Sequence, residues 1–254
     1  MSRNEVAVLI RDPKELFLAL ELLKKLDVSF CVCAPQDPSC ITAKVLLSTE
    51  HEPLSIVDDR LVLLDRSVDR SSIQILLKLL DISNPQSWAI GVDPGMRFGV
   101  ALVADGQTLL SRTLSSPSES VQLTIQWAAH VHSLFPDSQL VVHLGVGSRL
   151  YMVLYARILL EVQPNVRIEL VNEHHTTLSS GHLSNESSAG MIAVRRGRPI
   201  VESDLTLEVR EGYVNSVKRL YSRLSRGKKS LSSEEARALI RGEVTMADLL
   251  SLAE

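Results

Sequence analysis

Trp88-Ala-Ile-Gly-Val-Asp93-Pro-Gly95-Met-Arg97-Phe-Gly99-Val-Ala-Leu-Val-Ala104 is the stretch that decides the fold. An apolar run ends on a carboxylate, turns through Pro-Gly and restarts as a second apolar run. That pattern predicts a strand, a tight turn and an antiparallel strand, with Asp93 near the end of a buried strand. An ionised carboxylate is costly to bury without a cation or donors to compensate it. Asp93 therefore reads as a metal ligand, although Asp-Pro-Gly is also good turn chemistry.

Working outward, Asp105-Gly106 is a hairpin signal that leads into a third strand, Gln107–Leu114. Ser118 is placed to cap a helix from Glu119 to Phe135. Leu140–Leu144 reads as a strand, Leu150–Val162 as a helix and Val166–Val171 as a strand. Three antiparallel strands followed by two right-handed crossovers give a mixed five-stranded sheet with flanking helices. The order resembles the ribonuclease H-like arrangement.

Residues 1–85 read as a separate small α/β domain. Its predicted strands are Val6–Ile10, Val28–Ala34, Lys44–Ser48 and Leu61–Leu64, and its helices are Pro13–Leu26 and Ser72–Leu80. Arg11-Asp12-Pro13 follows the first strand where a phosphate-binding site would need a Gly-rich loop, so nucleotide binding there is unsupported. The sheet domain is assigned to 86–198, and 199–254 to a helical tail. In that tail Val209, Tyr213, Val217, Leu220 and Leu224 form one apolar stripe within Val201–Arg226. Ser232 is expected to cap Ala236–Arg241, and Thr245 to start a last helix to Ala253.

The chain has 254 residues, 45% of them hydrophobic and 22% charged, which fits an ordinary globular protein. No apolar run is long enough to span a membrane and no signal-peptide pattern opens the chain, so a cytoplasmic protein is expected. Aromatic residues are only 4%, which argues against base stacking on a row of rings. The net charge of -3 argues against a uniformly basic nucleic-acid coat. Cys31, Cys33 and Cys40 match no common zinc spacing; Cys31 and Cys33 share a strand face and read as small buried apolar residues.

Two further acids have sites where they could join Asp93. Glu173 follows the Val166–Val171 strand, and Glu186 opens a helix whose Ala189 and Ala193 would face a sheet. Three such carboxylates could hold two Mg²⁺ or Mn²⁺ ions, about 4 Å apart, around a phosphodiester. Glu173 also reads as a solvated loop charge and Glu186 as a helix-dipole acid.

Gly91-Val-Asp93-Pro-Gly95 with Gly99-Val-Ala101 resembles the first strands of RuvC-type and YqgF-type Holliday-junction resolvase-like proteins. Leu140-Val-Val-His-Leu-Gly145-Val-Gly147 is similar to their fourth strand. Asn172-Glu173-His174 with Thr176-Thr177 is similar to the YqgF signature Asp-Glu-Arg-x-Thr-Thr, and Glu186 with its following alanines to the final acid and helix. The resemblance covers about residues 86–198. It implies a metal-dependent nuclease fold with Asp93, Glu173 and Glu186 as metal ligands and His174 in the place of the basic residue. The departures are Asn-Glu-His for Asp-Glu-Arg and a final Glu for Asp.

His174 and His175 could relay a proton or contact phosphate, or simply donate to backbone; His143 lies in a buried strand and reads as a satisfied core histidine. From Arg195 to Lys229 ten basic residues face four acidic ones, a local net of +6. Arg195, Arg196, Arg198, Lys218, Arg219 and Arg223 are the expected contacts to a DNA or RNA backbone. Two classes of function follow: a divalent-metal-dependent nuclease acting on structured DNA or RNA, or a non-cleaving nucleic-acid binder or scaffold of the same fold. A resolvase would work as a two-fold homodimer. An actin-like phosphotransferase would need a second Asp-x-Gly hairpin, and none is present.

Overall fold

A computed structural model describes residues 5–34, 37, 40, 42–52, 58–172 and 184–251. The chain is mixed α/β with two sheets, and it forms two compact units. One comprises Met1–Gln86 with Ala129–Pro136, the other Ser87–Ala128 with Asp137–Glu254.

The first unit carries four parallel strands in the order β2-β1-β3-β4: β1 Val6–Val8, β2 Phe30–Val32, β3 Val45–Ser48 and β4 Leu61–Leu63. Helix α1 (Pro13–Lys25) starts where Asp12 accepts from the backbone N–H of Lys14 and Glu15, both at 2.9 Å, with Pro13 leading the first turn. Parallel strands need cover on both faces. Alternation supplies it: Val6, Val8, Val45 and Leu47 pack with Ala19, Leu22 and Leu23 of α1 and Ile75 of α2 (Val68–Leu79), while Ala7, Leu9 and Leu46 form a second cluster with Cys40 and Ala43.

The cysteines depart from expectation. Cys33 and Cys40 form a disulfide with Cα atoms 6.3 Å apart, and Cys31 is the free thiol. β2 is an edge strand, so Cys33 is only half-buried where the chain leaves it, within reach of Cys40.

The second unit holds six strands in the order β10-β9-β8-β5-β6-β7. The expected hairpins are β5 (Trp88–Asp93), β6 (Phe98–Ala104) and β7 (Gln107–Leu114), antiparallel in turn. Asp105 and Gly106 make the second turn with φ of 46° and 78°, the two positive values a tight hairpin turn needs. Crossovers through α3 (Pro117–Leu134) and α4 (Arg149–Val162) add β8 (Leu140–Gly145) and β9 (Ile168–Val171), both parallel to β5. The chain order of these strands, antiparallel hairpins and then parallel crossovers, is the one expected, but the sheet has six strands rather than five. A sixth, β10 (Arg198–Pro199), pairs antiparallel with β9 and lies beyond the five predicted.

Helix α3 begins at Pro117, because the Ser116 hydroxyl, not that of Ser118, accepts from Glu119 N–H at 3.1 Å. The carboxylate of Glu119 returns to Ser115, completing a reciprocal cap. Val201–Arg226 is not one helix but a 3₁₀ turn, Glu202–Leu205, and then α6, Glu211–Leu224. The fully buried residues of α6 are Val214, Val217, Leu220 and Tyr221, while the predicted Tyr213 and Leu224 are half-buried at its margin. Helix α7 (Ser233–Arg241) has the expected Ser232 cap, closed by Glu235, and α8 is Met246–Ser251. No helix among the described residues is long and apolar enough to cross a membrane.

The two faces of this sheet differ in kind. Phe98, Leu102, Ile90 and Val92 point to one face, where Phe98 meets the rings of Tyr151 and Tyr155 of α4 at centroid distances of 6.0 and 6.2 Å. Gly91, Asp93, Gly99, Ser111 and Thr113 point to the other, under α5 (Asn185–Ala193). A Cβ at Gly99 would overlap the carbonyl oxygen of Asn185, and one at Gly91 that of Ala189. The glycines let the helix lie directly on the strands.

Candidate functional site

The polar face beneath α5 carries the chemistry. Asp93 ends β5 and is half-buried. In register beside it run Gly99 of β6 and Thr113 of β7. Glu186, in the first turn of α5, reaches β7, where it accepts from Thr113 Oγ1 at 3.2 Å and Ser111 Oγ at 3.4 Å. Asp93 and Glu186 thus share a face of the sheet, but Glu186 is held at the strand two places from Asp93, roughly 10 Å by strand spacing. Among the described residues no three His, Cys, Asp or Glu side chains are grouped to hold a metal ion. Glu173, His174 and His175 lie outside the described residues; the chain leaves β9 at Asn172, at the same end of the sheet as Asp93.

One row of pairing further in, His143 and Glu169 occupy the same face. His143 Nδ1 donates to the carbonyl of Ala193 at 2.7 Å, at the C-terminus of α5, and its Nε2 stands 3.5 Å from Glu169. Burial pushes the Glu169 carboxyl up, but the Arg167 guanidinium, His143 and the Gly197 N–H more than compensate and hold it below the usual range. His143 is the satisfied histidine expected from its strand, and its bond ties the end of α5 to the sheet.

The basic residues separate into two groups. Arg198 forks the buried carboxylate of Asp204 at 2.7 and 2.6 Å, and this pairing holds Asp204 at about 2. Arg210, Arg237 and Arg241 each face a glutamate. Lys218 donates to Ser233 at 2.8 Å. By contrast Arg219, Arg223 and Arg226 are exposed and form no ion pair among the described residues; nor do the exposed Arg196 and the half-buried Arg195. Arg223 donates to the carbonyl of Ser115 at 2.6 Å, immediately after β7. Burial raises the Tyr151 phenol, and the charges of Arg223 and Arg219 oppose that rise, which puts both near the start of α4. The open arginines of α6 therefore flank the end of the sheet that carries Asp93 and Glu186.

Sequence reasoning missed Ser111 and Thr113 as partners of Glu186. Their signal was two hydroxyls at alternate positions of a strand, facing one side. The Glu169 cluster was missed because its members come from β8, β9 and the segment after α5, with nothing in the sequence to join them.

No family model and no curated protein matches the chain. Two solved structures of the Argonaute of Marinitoga piezophila are similar to it. One, in complex with 5′ OH guide RNA and target DNA, gives a TM-score of 0.27 at 10% identity. The other, with 5′ OH guide RNA, gives 0.26 at 9%. Each covers 66% of this chain, which aligns with 39% of the Argonaute chain. Likeness at this level does not assign a function.

Proposed function

We propose that this protein binds the phosphate backbone of structured DNA or RNA across the Asp93 end of its second sheet, as a divergent ribonuclease H-like protein related to the RuvC and YqgF types. The observation that carries the reading is the set Arg219, Arg223 and Arg226, which have no carboxylate partner among the described residues where most other arginines of the tail are paired. Exposed cations without partners gain from phosphates by releasing condensed counterions, whereas a cation already forked by an acid gains little. Arg195 and Arg196 extend the same contact; Arg198, committed to Asp204, serves to fix the 3₁₀ turn.

A second reading, Mg²⁺- or Mn²⁺-dependent cleavage at the same place, is favoured by Asp93 standing at a strand end on one face with Glu186. Bound there, the metal would activate water and steady the leaving oxygen. Two carboxylates two strands apart do not close such a site, so the described residues fit binding better than cleavage. Glu173 would have to supply the third ligand.

The test is fluorescence anisotropy with a four-way DNA junction and an RNA hairpin over a series of salt concentrations. Affinity should fall linearly with salt on logarithmic axes, and replacing Arg219 and Arg226 by Ala should lower that slope by between one and two. Binding that ignores salt, or is absent, overturns the proposal. Incubation with Mn²⁺ separates the second reading: cleavage that Asp93→Asn abolishes supports it, and intact substrate with wild type rejects it.

A further inference from the structure

Beside Glu186 a shallow cavity of about 440 Å³ opens along the outer strand β7. Thr108, Ser111, Ser184 and Ser187 line it with hydroxyls, Glu186 with a carboxylate, and Met191 and Val194 with large apolar side chains. We infer that this cavity receives a ribose and reads its 2′-hydroxyl, so that the protein prefers RNA to DNA. The inference rests on the nucleic-acid reading above and names its substrate class.

The lining decides among the three parts of a nucleotide. Among the described residues the lining holds a carboxylate and no cation, which disfavours a phosphate. Those same residues offer a base no aromatic ring or guanidinium plane on which to stack. The sugar remains. Its 2′-hydroxyl can donate, and an ionised carboxylate is a strong, acceptor-only partner for it. Glu186 is held in the cavity wall by Ser111 and Thr113, which take up only part of its acceptor capacity. The serine and threonine hydroxyls around it can donate or accept and suit the neighbouring sugar oxygens. Gly190 keeps the floor open: a Cβ there would come within 3.0 Å of Thr108 Oγ1. The 2′-hydroxyl is the group by which a protein distinguishes RNA from DNA at a given place.

The experiment compares one hairpin sequence as RNA, as DNA and as 2′-O-methyl RNA, by anisotropy against the full chain at one salt concentration. RNA should bind about tenfold more tightly than the other two, the worth of one hydrogen bond to a charged group. Glu186→Gln should shrink the RNA-to-DNA ratio toward one, and Ser111→Ala should shrink it less. The three-ligand comparison on wild type needs no variant to fold. Tight binding of RNA and DNA alike overturns this inference and leaves the backbone-binding reading standing. Failure to bind either overturns both.

Discussion

The two sheets of this molecule solve the same problem with different residues. In the first unit both faces of a parallel sheet are closed by aliphatic clusters, and β1 and β3 are buried along their whole length. In the second unit one face is closed by aromatic and aliphatic side chains, the other by a helix resting on two glycines among Asp93, His143, Glu169, Ser111 and Thr113. The first sheet spends both faces on cohesion. The second keeps one face for chemistry, because glycine lets backbone replace side-chain bulk and leaves room for polar groups at the edges of the contact.

Substitutions can break that contrast. The largest effect is expected from Gly99→Val, whose side chain would collide with the Asn185 carbonyl and lift α5; a loss of about 4 kcal/mol or more in urea denaturation is expected. A variant as stable as wild type would mean that α5 does not sit on the strand. In the first unit Leu47→Ala should cost about 3 kcal/mol, because it empties a fully buried position packed against α1. The same measurement reads it, and a loss below 1 kcal/mol would disprove the close packing of that face.

Asp204 gives a smaller, pH-dependent effect. Its carboxyl falls from an ordinary 3.8 to about 2 through the Arg198 fork. A depressed folded value stabilises above the unfolded one, and the benefit is lost as the pH falls through about 2. Because Arg198 is largely exposed, on the order of 1–2 kcal/mol is expected after solvent screening. Asp204→Asn should remove that contribution and flatten the acid limb of the stability curve between pH 4 and 2, followed by circular dichroism. Least is expected of Ser116→Ala, which deletes the cap of α3 and should cost about 1 kcal/mol; Ser118→Ala should cost almost nothing.

Strand and helix positions were legible where one periodicity dominated. Trp88–Ala104 is two apolar runs around a Pro-Gly turn, and Gln107–Leu114 follows a dipeptide that favours positive φ at both residues. The misread cap is instructive: Ser116 and Ser118 flank Pro117, and Pro at the first helical position leaves the preceding serine as the cap. β10 is two residues long, too short for any alternation to announce it. The α6 stripe was read a notch off because Val209 precedes the helix and lies outside its geometry. At the site, Asp93 and Glu186 could be picked out as acids beside apolar runs. That Glu186 would lean on β7 depends on which strand lies beneath the start of α5, a long-range fact no local pattern contains.

Helix α3 contributes residues to both units: Pro117–Ala128 to the second, Ala129–Leu134 to the first. The N-terminal unit is therefore complete only with a segment that arrives more than forty residues after its own last strand and helix. His130 hydrogen-bonds Ser67 at 2.8 Å, the residue that caps α2, and Leu134 and Phe135 line a cavity with Leu77 and Lys78. A gene fragment ending at Gln86 would encode every strand of this unit and still omit part of its wall. The N-terminal unit expressed alone is expected to be more stable with a copy of 129–136 attached than without it.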